Sequence, residues 1–359
     1  MNTAKPAYLQ LYEALRDEIA QGAWPYGARL PSRRQIARDR GISMVTVEHS
    51  YELLCQEGYA ESRPRSGFFV VYREADGLIP APPLLRSQAL APERADAVNA
   101  FPFSVLARTM RRVLSEYGEG ILQKSPNAGV EALRLAIARY LARNRGMRVE
   151  PGQIVIGSGA EYLYGLVVEM LGRERGYAIE CPSYEKIEQV YRAKGIQCDL
   201  LPLDSDGIRT DALAATAASV LHITPYRSFP SGVTATASKR REYIRWADEG
   251  DRYIVEDDFE SEFSLLRKPE ETVFARSAHQ NVIYLNTFSR TVSPSIRVGY
   301  MVLPRKLLPV FHMRVGFYSC TVPAFEQYVL SELINNGDFE RHINRIRRQE
   351  RRKRADKSY

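Results

Sequence analysis

Residues 30–70 read LPSRRQIARDRGISMVTVEHSYELLCQEGYAESRPRSGFFV, and the order of their cap and turn residues decides the fold of the N-terminal part. Pro31 stops any regular element begun at Ala28, and Ser32 is placed to cap a helix running to Arg40. Gly41 makes the turn, and Ser43 caps a further helix of about fourteen residues that ends at Gly58. From Tyr59 to Val71 the sequence alternates around the basic turn Arg63-Pro64-Arg65-Ser66-Gly67, as a two-stranded wing does. Upstream, Leu9, Leu11, Leu15 and Ile19 recur at helical spacing between Tyr8 and Gln21, with Gly22 closing the helix. Three helices followed by a basic wing form a geometry that sets one helix in the major groove of DNA while the wing meets phosphate or the minor groove. The start of that helix is Ser43-Met44-Val45-Thr46-Val47, with Glu48 and His49 one turn on.

Farther along, residues 74–100 carry Pro80, Pro82, Pro83 and Pro92 among alanines and mixed charges without a sustained period, which predicts a linker between a domain over 1–73 and another over 101–359. The second domain is expected to open with helices near Val105–Tyr117 and Gly129–Asn144, the latter with Leu133, Ile137 and Leu141 on one stripe. From Gln153 the pattern changes to short apolar runs separated by helical segments: QIVIG, YAIEC, SVLHIT, RYIVED, NVIYLN and GYMVL. Strands without alternation imply a mainly parallel sheet buried on both faces, hence an α/β domain.

The chain has 359 residues, 45% hydrophobic and 26% charged, which suits two soluble domains. No apolar run approaches the roughly 20 residues of a membrane span, and MNTAKPAYLQ lacks the apolar core of a signal peptide, so a cytoplasmic protein without membrane attachment is expected. Cys55, Cys181, Cys198 and Cys320 are scattered, with neither disulfide nor metal-ligand spacing, so no metal is expected. The net charge of +7 is uneven: residues 340–359 hold nine Lys or Arg against three Asp or Glu, whereas residues 1–73 hold ten against eight. Charge alone therefore argues little for DNA. The basic tail is read as an amphipathic helix with Ile343 and Ile346 on its inner face.

The stretch from Leu11 to Val70 resembles the winged helix of the GntR family over its whole length. That resemblance implies double-stranded DNA as partner, with Arg34, Ser43, Thr46, Arg63, Arg65 and Gly67 as contacts. Met44 departs from the basic residue usual after that serine, and it cannot clamp guanine. Downstream, TPYRSFPSG (224–232), IVEDDFESEF (254–263) and YLNTFSRTVSPSIRVGY (284–300) together resemble the MocR subfamily, whose second domain is a fold-type I aminotransferase fold dependent on pyridoxal phosphate. The resemblance implies Gly159, Ala160, Thr287 and Arg297 at the cofactor phosphate, Tyr184 on the pyridine ring and Asp257 on its nitrogen. A carboxylate there keeps the ring protonated and electron-withdrawing.

Three departures bear on function. Arg290 stands where the family has the Schiff-base lysine, and an arginine held protonated by its high pKa supplies no neutral amine. Phe259 replaces the usual tyrosine, and the chain stops where relatives continue into a small C-terminal domain, which is expected to be missing. The expectation is a transcription regulator with no catalytic residue and a degenerate aminotransferase-like domain. That domain would serve homodimerisation and sensing of a small effector (an amine, an amino acid or pyridoxal phosphate), the cofactor binding weakly and non-covalently. A decayed or scaffold protein and an active aminotransferase are the alternatives.

Overall fold

The computed structural model describes residues 5–64, 66–73, 101–259, 261–265 and 271–356, in two compact units divided after Glu93. Arg65 and the expected linker over 74–100 lie outside the described residues.

In the first unit, α1 (Ala7–Ala20), α2 (Arg33–Arg40) and α3 (Met44–Gln56) precede the antiparallel hairpin of β1 (Ala60–Arg63) and β2 (Gly67–Val70). The caps fall where the sequence sets them. Ser32 Oγ accepts from the Gln35 N–H at 3.2 Å, Gly41 closes α2 at φ 64°, and Ser43 Oγ accepts from the Thr46 N–H at 3.1 Å. Leu11, Leu15, Ile19, Ile36, Val47, Tyr51 and Leu54 form the core between the three helices. Each such side chain contributes about 1.5–3 kcal/mol when fully removed from water. One expectation fails. The segment before Pro31 is not irregular: Arg29 bridges Phe69, the Leu30 N–H donates to Phe68 O and the Val70 N–H to Ala28 O, each at 2.9 Å. Pro31 lacks only its own N–H, so it follows this isolated bridge to the two-stranded wing without preventing it.

The second unit opens with α4 (Phe103–Tyr117) and α5 (Glu131–Arg145), then β3 (Ile154–Gly157), α6 (Ala160–Leu171), β4 (Tyr177–Cys181), α7 (Glu185–Ala193), β5 (Cys198–Asp204) and β6 (Gly207–Ile208). It continues through α8 (Thr210–Ala215), β7 (Val220–Ile223), α9 (Ala237–Asp248), β8 (Tyr253–Asp257), α10 (Val273–Arg276), β9 (Val282–Thr287) and β10 (Gly299–Val302). Helices α11 (Leu308–Arg314), α12 (Ala324–Asn335) and α13 (Asp338–Asp356) follow. The eight strands lie in the order β3-β10-β9-β8-β7-β4-β5-β6. Strands β9, β8, β7, β4 and β5 are mutually parallel, as the unbroken apolar runs of the first four lead one to expect.

Strand β10 runs antiparallel to both its neighbours, because the connection from β9 is too short for a helical crossover. Strand β5 escapes the reading of apolar runs. Asp199, Pro202 and Asp204 interrupt it, and it lies next to the short edge strand β6, with Leu200 exposed. Helices α5, α12 and α13 cover one face of the β3–β10–β9 end through Leu133, Ile137, Leu330, Leu333 and Phe339. Ile343 and Ile346 of α13 are buried, as their spacing predicts.

Candidate functional site

In the first unit the expected DNA contacts fall on two patches. Ser43 and Thr46 lie side by side at the start of α3, their hydroxyl oxygens 2.8 Å apart. Arg34, one residue into α2, is exposed and makes no ion pair among the described residues. Its neighbour Arg33 instead pairs with Glu48 of α3 and lies 5.9 Å from the Phe68 ring centre. On the wing, Arg63 and Gly67 face each other across the hairpin. Arg63 pairs with Glu61 at 2.6 Å and covers the Phe69 ring at 4.4 Å. Gly67 has φ 108°, a backbone conformation that favours glycine, and a Cβ there would stand 3.2 Å from Arg29 Nε, the end of a side chain that can give way. That neighbour, Arg29, is a residue beside the wing that the sequence reading passed over.

In the second unit, the expected cofactor residues gather at the C-terminal ends of the parallel strands and the turns that follow them, where α/β folds hold ligands. Gly299 of β10 pairs with Gly157 at the end of β3 and with Thr287 at the end of β9. Gly159 precedes Ala160 and α6, has φ 92° and brings no side chain to the helix start. A Cβ on Gly159 would lie 3.0 Å from Arg297 Nη2, so the arginine lies directly against this turn. Arg297 is steadied by Glu161 at 3.2 Å, and Glu161 by Lys186 of α7 at 2.8 Å. The lysine's hydrogen bond holds the Glu161 carboxyl below its ordinary range.

Asp257 ends β8, buried, and accepts a hydrogen bond from the Tyr164 hydroxyl of α6. Tyr184, just before α7, is 40% exposed and edge-on to Phe229 at 6.3 Å. Arg290, on the turn after β9, has its guanidinium 5.4 Å from the Phe259 ring centre.

Two family models match the chain. One, described as bacterial regulatory proteins of the gntR family, covers residues 7–70, and the other, aminotransferase class I and II, covers residues 97–358. The HTH-type transcriptional regulator YdeL of Bacillus subtilis is 32% identical over 98% of this chain and 78% of its own length. The chain belongs to the MocR-type GntR regulators. MocR of Rhizobium meliloti, described as a probable rhizopine catabolism regulatory protein, is 30% identical over 96% of the chain and 74% of its own length. Among solved structures, LysN, the α-aminoadipate aminotransferase of Thermus thermophilus, was crystallised with N-(5'-phosphopyridoxyl)-L-leucine. It is 27% identical with a TM-score of 0.61, covering 69% of the chain, and the chain spans 64% of that enzyme. A MocR-type regulator binds DNA through its winged helix and carries an aminotransferase-like fold, and both are present here.

Around the cradle of this MocR-type chain stand buried groups that sequence reading missed. His222, inside the apolar run of β7, meets the Tyr191 hydroxyl at 2.7 Å through Nδ1, and its Nε2 lies 3.8 Å from Asp257 Oδ2. A histidine in an otherwise apolar strand is the signal that could have found it. Next to Asp257, Asp258 is ion-paired with Arg145 of α5 and accepts from the Tyr284 hydroxyl at 2.6 Å. Burial pushes the Tyr164 and Tyr284 phenols well above their ordinary range, so both stay neutral donors. Glu262 accepts from Asn286 Nδ2 at 2.6 Å, while Arg347 of α13 donates to the Glu262 carbonyl at 2.6 Å. Among the described residues no group of His, Cys, Asp and Glu could hold a metal ion, and no helix is long and apolar enough to cross a membrane.

Proposed function

We propose that this regulator uses its aminotransferase-like unit to sense a small molecule and to dimerise, and not to catalyse amino transfer. DNA would be met by Arg34, Ser43 and Thr46 in the groove and by Arg63, Arg65 and Gly67 of the wing, with the domains bounded near residues 73 and 101. A helix-turn-helix reading paired half-sites needs a two-fold partner, so the working form is a homodimer in the cytoplasm.

The residues present suit the phosphate end of pyridoxal phosphate. The helix start at Gly159 and Ala160 has no side-chain cap, Arg297 lies against it, and Thr287 ends the strand that pairs with Gly299. Backbone N–H groups and a guanidinium are the donors such a group requires. Asp257 is a buried carboxylate suited to the ring nitrogen, and Tyr184 supplies an aromatic face. When bound, the cofactor supplies an electron sink conjugated to its aldehyde. What this chain's residues do is hold it: Tyr164 fixes Asp257, and Glu161 orients Arg297.

The observation that carries the reading is the arginine at position 290, the lysine position by resemblance, packed on Phe259 where the family has tyrosine. Arginine held protonated supplies no neutral amine to the aldehyde at neutral pH, so pyridoxal phosphate binds weakly and reversibly. In the test, the chain is mixed with pyridoxal phosphate, treated with borohydride and mapped by mass spectrometry. No adduct is expected at residue 290, whereas Arg290→Lys should yield one without gaining transamination. An adduct on Arg290 in the unaltered chain would sink the reading.

A further inference from the structure

The polar side chains in the first two turns of α3 are already engaged within the protein. Ser43 and Thr46 bond each other, Glu48 is held by Arg33, His49 lies edge-on to Tyr8 at 5.7 Å, and Ser50 Oγ donates to Tyr8 O at 2.8 Å. The helix contains neither lysine nor arginine, so it has no fork or ammonium to donate to guanine O6 and N7. Its outward face in the first turn is hydrocarbon: Met44 is 43% and Val45 63% exposed, while Val47 turns into the core. The apolar feature of the major groove is the C5-methyl group of a pyrimidine, carried by thymine and by 5-methylcytosine.

We propose that Met44 and Val45 determine operator specificity by packing on C5-methyl groups of thymine. This rests on the DNA-binding function of the winged helix and adds to it the class of base that is read. Removing one methyl from water corresponds to about a fourfold change in affinity.

The experiment takes the full chain through selection from a randomised, unmethylated duplex pool. The enriched duplex is then scanned by replacing each thymine in turn with uracil, with affinity read by fluorescence anisotropy. About a fourfold loss is expected at a thymine in each half-site, and it should vanish in Met44→Ala/Val45→Ala. Met44→Leu/Val45→Ile, which keeps the hydrocarbon, should retain it. At the same position a 5-methylcytosine duplex should bind tighter than its cytosine counterpart by a similar factor, whereas enrichment of thymine from the unmethylated pool assigns thymine as the source. A flat uracil scan, or minima that persist in the alanine double variant, overturns the proposal while DNA binding stands. If no duplex is enriched at all, the DNA-binding function itself fails, and this proposal with it.

Discussion

Helices α3 and α6 both begin with N–H groups that no carbonyl of the helix can take, and the two starts treat them in opposite ways. At α3, Ser43 turns its own oxygen onto the Thr46 N–H. At α6, Gly159 has no side chain to offer, and the Arg297 guanidinium stands beside it. A closed start spends its cap oxygen on the helix itself and leaves Met44 and Val45 pointing outward beside it. An open start keeps its donors for an anion. One chain therefore carries two helix starts of different local form, an extended serine that caps its own helix and a left-handed glycine that does not.

The largest expected effect tests whether the open start rests on a rigid base. Arg145→Ala leaves Asp258 buried without its ion partner, next to Asp257, and should cost the second unit about 3–5 kcal/mol. The reading is the urea midpoint of that unit, with the winged helix unmoved. An unchanged midpoint would mean that the pair is solvated.

Next, Arg297→Ala should weaken binding of pyridoxal phosphate by about 1.5–3 kcal/mol, the worth of a charged hydrogen bond. Calorimetric titration measures this, and DNA affinity should not change. Equal losses at both ends would break the contrast between them. At the closed start, Ser43→Ala should cost about 1 kcal/mol, seen as faster hydrogen exchange in the first turn of α3, and Ser43→Asp should restore it. The same exchange rate in all three would show that the cap contributes nothing.

A pH slope in the second unit tests the buried carboxyls as a group. Burial raises the Glu180, Glu256 and Glu262 carboxyls to about 7 from an ordinary 4.5. Between those values the folded chain holds more protons than the unfolded one, so their contribution is full below 4.5 and is lost as pH rises through 7. His342, lowered by burial to about 4 from 6.5, works the other way, but it is one group against three. The urea midpoint should fall from pH 5.5 to 7.5. Glu180→Gln, whose carbonyl can still accept from Ser228, should flatten the slope, and an equal slope in that variant would remove Glu180 as its source.

What was legible in the sequence follows how local the signal is. Caps, turns and unbroken apolar runs act within a few residues, so α2, α3, the wing and six strands could be placed from them. Strand β5 could not, since Pro202 and two aspartates mask a strand that lies near the sheet edge. The isolated bridge from Arg29 to Phe69 is not legible, because a proline reads as a stop for residues before it as well as after. The residues that the family resemblance implies for the cofactor lie at one end of the sheet. Their supports were not found: Tyr164 meets Asp257, and Arg145 meets Asp258, across long stretches of chain, and no local pattern announces such a partner.

The reversed strand β10 also sets an order of events. Strand β3 joins the sheet only through β10, so the turn at Gly159 comes alongside Thr287 only when the distant Gly299 has paired with both strands. Contacts so far apart along the chain form late, because their loop-closure entropy must first be overcome. During synthesis the cradle therefore stays open until Gly299–Val302 has left the ribosome. A chain arrested before that point would carry a finished winged helix and no cradle at all.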